Sequence, residues 1–300
     1  MNLSNQKSRF LFATHPALVT VFAVILFGLI TMPANAATQW HIKDDATGGD
    51  CSLIGSWDTA SKTCTLSQDL DRGVVIDNDG ITFDGNNNTI ASNVVASGYG
   101  IYIESKNLVT IKNTTIEKFA YGIFFSSHYT DTSDRHTIIN NVLINNLLGI
   151  YLRSSQNIIK GNSISGGGIN IENNSSQNII EDNEILHAVV GIGVSAGGAG
   201  NKIIGNKIFG DGSDVSSEGI GIRDGNGIGH YVIVRNNDVS NHRYGLRFTG
   251  ANTSGNEVRG NTFHNNGTGL VLAHQAITQN SIVSENVIDA TTKAVVLKKG

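Results

Sequence analysis

The sequence predicts an all-β fold: a single-stranded right-handed parallel β-helix of about nine coils behind a small disulfide-stapled N-terminal cap. Two recurring phrases and one absence predict it. The first phrase, Gly-apolar-x-apolar, starts at Gly73, Gly100, Gly122, Gly149, Gly168, Gly191, Gly219, Gly245 and Gly269, with a degenerate copy at Ala294. The second, Asn-x-apolar, starts at Asn88, Asn162, Asn183, Asn206, Asn237, Asn261 and Asn286, with copies shifted by one residue at Asn113 and Asn141. An apolar pair usually precedes it, as at Ile158-Ile159 and Ile179-Ile180. The absence is proline: Pro16 and Pro33 both lie in the first 36 residues. A stack of strands has no use for a residue that lacks a ladder donor.

Period-two alternation over three to five residues makes a short strand with one buried face. One repeat cannot bury that face alone, whereas stacked coils about 4.8 Å apart can. Ile and Val then stack inside the tube. Asn162, Asn183, Asn206, Asn237, Asn261 and Asn286 recur at one turn position and are expected to form a hydrogen-bonded ladder. Glycine at the strand entry is expected to supply a tight bend. Leucine-rich repeats have a similar period but a leucine consensus, and a β-sandwich would show hairpin signals.

Residues 1–36 read as a secretory signal. Lys7 and Arg9 precede the uncharged apolar run Ala17 to Met32, and Ala34-Asn35-Ala36 is a small-x-small cleavage pattern. The competing reading, an uncleaved anchor, asks more of that run, which is shorter than the roughly 20 residues of a span. Without the signal, Lys plus Arg falls from 21 to 19 against 25 Asp plus Glu, a net charge of −6. That balance argues against a nucleic-acid partner, which calls for a basic patch. No membrane span is expected after cleavage.

Residues 37–72 lack the repeat and carry Trp40, Trp57, Cys51 and Cys64. An open β-helix end exposes core and unpaired edge, so this segment reads as the cap. A tryptophan-based binding patch is the alternative. In an oxidising compartment Cys51 and Cys64 are expected to form one disulfide. The repeat domain then runs over 73–300. It ends without a capping segment, and a homodimer or partner contact through that end is one expectation.

From Gly73 to Gly300 the repeats resemble the right-handed β-helix family that groups carbohydrate-binding proteins with sugar hydrolases. That family includes NosD-type periplasmic accessory proteins and mannuronan C5-epimerases. The matching residues are structural, so the resemblance implies the fold and leaves activity open. It implies a periplasmic or extracellular protein that binds or modifies polysaccharide. The alternatives are a NosD-like accessory protein for metalloenzyme maturation and a structural or adhesive surface protein.

Counting Gly-in-out-in along the first phrase places Val75, Tyr102, Phe124, Tyr151, Asn170, Gly193, Gly221, Arg247 and Val271 in one outward column. Tyr102, Phe124 and Tyr151 would form an aromatic strip suited to sugar rings, or a packed strip under a loop. A second column carries Glu104, Ser126, Arg153, Glu172, Ser195 and Arg223. The long turns Ser126 to His136 and Arg223 to Tyr231 would wall a groove floored by Tyr151, Arg153, Glu172 and Asn173. Candidate catalytic residues are His128, Asp134, Arg135 and His136, whose types suit proton abstraction beside a carboxylate. The epimerase motif Asp-Pro-His-Asp is absent, and Asp134-Arg135-His136 and His242-Arg243-Tyr244 are weak echoes. If the protein is an enzyme, the expectation is a uronate lyase or epimerase. No cofactor or metal site is expected. Copper(I) favours Cys and Met, and residues 37–300 hold no Met and one cysteine pair. Calcium at Asp211, Asp214 and Asp224 lacks the glycine-rich nonapeptide.

Overall fold

The computed structural model describes residues 39–126, 135–173, 175–195, 198–212, 214–223, 231–249, 255–273 and 281–298. The chain winds into a parallel β-helix with three faces. The Gly phrase forms the glycine face, where Tyr99–Glu104 pairs in parallel with Tyr121–Ser126, then Leu148–Leu152, Ile169–Ile171 and Val190–Ser195. The Asn phrase forms the asparagine face through Val142–Ile144, Ser163–Ser165, Glu184–Leu186 and Lys207–Phe209. The apolar pair before it forms the third face through Thr137–Ile139, Ile158–Lys160, Ile179–Glu181 and Asn201–Ile204.

Register pairs each inward residue with its equivalent one coil on, so like stacks on like. Ile138, Ile159, Ile180 and Ile203 stack on the third face, and Leu143, Ile164, Ile185 and Ile208 on the asparagine face; all are fully buried. On the glycine face Ile123, Ile150, Ile169, Ile192 and Ile220 do the same. Burial of a side chain this size contributes about 1.5–3 kcal/mol, which is why a three-residue strand suffices.

The corners are held by buried amides. Asn162, Asn183, Asn206, Asn237, Asn261 and Asn286 form the expected ladder, which Asn141 extends. In each step a backbone N–H donates to the Oδ1 of the next asparagine at 2.9–3.0 Å. The Nδ2 of Asn183 donates to the Ile159 carbonyl and to Asn206 Oδ1, both at 2.9 Å. Among the described residues no buried side-chain amide of this ladder lacks a hydrogen-bond partner, as deep burial requires. A residue in the left-handed region precedes each ladder asparagine and turns the corner: Asn140, Gly161, Asp182, Gly205, Asn236, Gly260 and Glu285.

The glycines that open the phrase act differently from the expected tight bend. Gly122 and Gly168 do not have positive φ. A Cβ at Gly122 would lie 2.6 Å from the Gly149 carbonyl oxygen, and one at Gly168 would lie 2.0 Å from that of Val190. They are glycine because neighbouring coils approach too closely for a side chain.

The stack begins inside the segment read as the cap. Trp40–Ile42 pairs in parallel with Val74–Ile76, and Thr63–Leu66 with Thr82–Asp84. Gly55–Asp58 adds an antiparallel edge strand, beside the one-turn helix Cys51–Ile54. The Cys51–Cys64 disulfide joins that helix to the first coil with Cα atoms 5.8 Å apart. Trp40 and Trp57 pack against the core, and the Arg72 guanidinium lies 4.7 Å from the Trp40 ring. At the other end the inward residues Val283, Val295 and Leu297 are 42%, 46% and 63% exposed. No helix among the described residues is long and apolar enough to cross a membrane.

Candidate functional site

The outer side of the glycine face changes chemistry along the helix axis. The column from Val75 through Tyr102, Phe124, Tyr151, Asn170, Gly193, Gly221 and Arg247 to Val271 is in direct register from coil to coil. A further outward column lies beside it, formed by the residue before each glycine: Tyr99, Tyr121 and Leu148, and farther along Val190, Glu218 and Tyr244. Sequence counting began at the glycine and missed this column, although Tyr-Gly at 99, 121 and 244 was a readable signal.

Together the columns make a five-ring aromatic cluster. Tyr102 stacks on Phe124 at 5.7 Å and Phe124 on Tyr151 at 5.1 Å. Tyr99 lies 4.9 Å from Tyr102 and 5.3 Å from Tyr121. Phe124 and Tyr151 are 9% and 7% exposed, so the rings offered outward are those of Tyr99, Tyr102 and Tyr121. Such clusters are both cohesive and able to receive the C–H face of a sugar ring. Burial pushes the phenols of Tyr102 and Tyr151 up to about 12, helped by Glu104 and Glu172 respectively. Both stay protonated at neutral pH and are hydrogen-bond donors.

Beyond the rings the face is polar. The Tyr151 hydroxyl donates to Glu172 Oε2 and accepts from Arg153 Nη2 at 3.0 Å. Asn173 follows in the left-handed region at φ 58° and is half-buried. The structure thus brings Tyr151, Arg153 and Glu172 together. Two coils on, Glu218 is buried and accepts from Arg223 Nη2 at 2.7 Å and from Arg247 Nη1 at 2.8 Å. Gly193 and Gly221 lie in the column between Asn170 and Arg247.

The candidate catalytic residues are not brought together. His128 and Asp134 lie outside the described residues, as do most of the two turns expected to wall the groove. Arg135 is exposed, at φ 68°, with its N–H on the Ser155 carbonyl. His136 is buried at a corner: its N–H donates to Asn157 Oδ1 at 2.9 Å, and its Nδ1 accepts from the Val109 N–H at 3.2 Å. It heads a second ladder, through Asn157, Asn178 and Asn201. The sequence signal was the Asn before the apolar pair, as in Asn157-Ile-Ile and Asn178-Ile-Ile. His242 occupies the third corner, where its N–H donates to Asn266 Oδ1 at 3.0 Å. Burial pulls both imidazoles down to about 4, so neither is charged at neutral pH.

Of the calcium candidates, Asp224 lies outside the described residues, and Asp214 Oδ1 accepts from the Ser216 N–H and hydroxyl at 2.7 Å each. Among the described residues no group of three metal-ligating side chains occurs.

Comparison with known proteins gives one family. The profile of the family described as periplasmic copper-binding protein (NosD) matches residues 58–224 and 221–300. No curated protein matches. Among solved structures, an alginate lyase from Paenibacillus sp. is 13% identical with a TM-score of 0.45, covering 79% of this chain and 99% of that one. The catalytic domain of a GH87 alpha-1,3-glucanase in complex with tetrasaccharides is 13% identical with a TM-score of 0.48, covering 87% and 57%. A pectate lyase is 13% identical with a TM-score of 0.40, covering 83% and 78%. The described residues do not fit the copper of the family's description. Both cysteine sulfurs are locked in the disulfide, His136 and His242 are buried in corners, and His41 and His264 face Asp77 and Asp238 at 2.9 Å. Profile matches that together span residues 58 to 300, over a parallel β-helix built from the same repeats, place the chain in the NosD family.

Proposed function

We propose that this is an exported protein whose glycine face binds a polysaccharide laid along the helix axis. The observation that carries the reading is the outer glycine face, where the rings of Tyr99, Tyr102 and Tyr121 are offered outward and the same register leads on to Asn170 and Arg247, with the side-chain-free Gly193 and Gly221 between them. A chain of linked rings needs apolar platforms and hydrogen-bonding side chains; the outward tyrosines would serve as the first and Arg153, Asn170, Arg223 and Arg247 as the second, on coils about 4.8 Å apart. Binding is favoured over turnover. The phenols are held protonated, and Glu172 and Glu218 are each engaged by neighbouring side chains.

The test is affinity electrophoresis of the full chain through gels carrying neutral and acidic polysaccharides. Retardation by at least one polymer, lost in Tyr151→Ala with Arg153→Ala, is the expected result. Retardation that survives both substitutions removes the site from this face.

Family membership supports a second reading, an accessory protein that assists maturation of a periplasmic metalloenzyme by protein contact. The exposed inward residues Val283, Val295 and Leu297 would then be the docking end, for that partner or for a second copy. Val295→Asp with Leu297→Asp should abolish such association and leave polysaccharide binding intact.

A further inference from the structure

We infer that Arg223 and Arg247, locked by Glu218, form a subsite for an oxyanion carried on the polysaccharide, a carboxylate or a sulfate ester. The inference rests on the polysaccharide reading and deepens it. Two guanidinium groups converge on one carboxylate, with N–O distances of 2.7 and 2.8 Å. The Glu218 side chain is 3% exposed, whereas those of Arg223 and Arg247 are 39% and 28% exposed. Among the described residues, one negative charge is therefore hidden beneath two positive charges that face outward, and this cluster of three carries a surplus of one positive charge.

The glycines of the column explain how this plate lies flat. A Cβ at Gly221 would sit 2.1 Å from Glu218 Oε2 and 3.4 Å from Arg223 Nη2. A Cβ at Gly193 would sit 3.7 Å from Arg223 Nη1. Any side chain at Gly221 would lift the carboxylate and its arginines off the sheet. The Arg247 Nε has no hydrogen-bond partner among the described residues. Tyr244 supports the plate from the side, with the Arg247 guanidinium 4.8 Å from its ring.

Each guanidinium has five donors, and the Glu218 contacts named above engage one nitrogen of each. The planar fork matches a carboxylate or sulfate in a way that a lysine could not. Because Glu218 fixes both side chains, little rotamer freedom remains to be lost on binding. Arg259 makes a useful contrast. It pairs with its own carboxylate, Glu285, on the third face, one cation to one anion, and holds no surplus charge.

The experiment compares the full chain against a polyuronate, a sulfated polysaccharide and a neutral glucan by isothermal titration at low and moderate salt. The inference expects one acidic polymer to bind at least tenfold more tightly than the glucan, with affinity that falls as salt rises. Arg247→Gln and Arg223→Gln should each cut that affinity about tenfold, while Arg259→Gln changes nothing. A polyuronate preference assigns a carboxylate and a sulfated preference a sulfate. If Arg247→Gln melts early, Arg247→Lys replaces it, and a loss of at least threefold with an unchanged melting temperature meets the same expectation. Equal, salt-insensitive binding of the glucan and the acidic polymers overturns the subsite and leaves the polysaccharide reading standing. Failure of every polymer to bind overturns both.

Discussion

The corners of this helix repeat one solution, and the outward column of its glycine face does not. At the main corner the same amide bonds the same backbone group from Asn141 to Asn286, within about 0.1 Å. Along the outer glycine face the residue type changes, from Tyr102, Phe124 and Tyr151 to Asn170, then Gly193 and Gly221, then Arg247. The contrast separates what stacking demands from what it leaves free. A buried amide must be satisfied and has one good geometry, whereas an outward residue need not match its equivalent one coil on. Function is therefore sought where the repeat breaks its own pattern.

Among single substitutions, breaking a corner should cost most. Asn183→Leu removes the acceptor for the Asn162 N–H and the donor to the Ile159 carbonyl, both buried. At about 1–3 kcal/mol for each orphaned group, we expect a loss of roughly 4 kcal/mol in urea denaturation.

Acid should act next, through the corners that use histidine. His136 and His242 fall from the ordinary 6.5 to about 4 because they are buried. Their folded-state values are depressed, so the unfolded chain takes up protons first. Stability is complete above about pH 6.5 and declines as pH falls from there to 4. At 1.36 kcal/mol per unit the loss is roughly 3 kcal/mol per histidine, read as a melting temperature against pH. His136→Asn restores the residue used at Asn157 in the same column and should remove about half of the acid sensitivity.

Replacing Cys51 and Cys64 with alanine should cost about 3 kcal/mol, by the loop-entropy argument, and loosen the N-terminal end. The smallest effect on stability should come from the glycine face. Arg153→Ala is expected to move the melting temperature by no more than about 2 °C and to weaken polysaccharide binding about tenfold, which sharpens the contrast with Asn183.

Much of this was legible because the repeat is. Ile150, Ile169 and Ile192 sit where the Gly phrase puts them, and period-two counting identified the outward column from Tyr102 to Arg247. The ladder from Asn162 to Asn286 was readable because one residue type recurs at one offset. The second ladder was hidden because His136 replaces Asn at its head, so the pattern started with a different letter. The first coil was hidden for a similar reason. Trp40–Ile42 and Thr63–Leu66 stack in register without carrying either phrase, because an end coil packs against the helix and hairpin as well as against its neighbour. The polar triad of Glu218, Arg223 and Arg247 was invisible to counting, since Glu218 precedes its glycine and joins residues on two coils.

The most direct test is isothermal titration of the full chain with its best-binding polysaccharide, run beside Tyr151→Ala/Arg153→Ala on the glycine face and Lys160→Ala on the third face. The account predicts that the first variant loses at least tenfold in affinity while the second binds as the natural chain does. Equal loss in both, or binding by neither the natural chain nor the variants to any polymer tried, would contradict it.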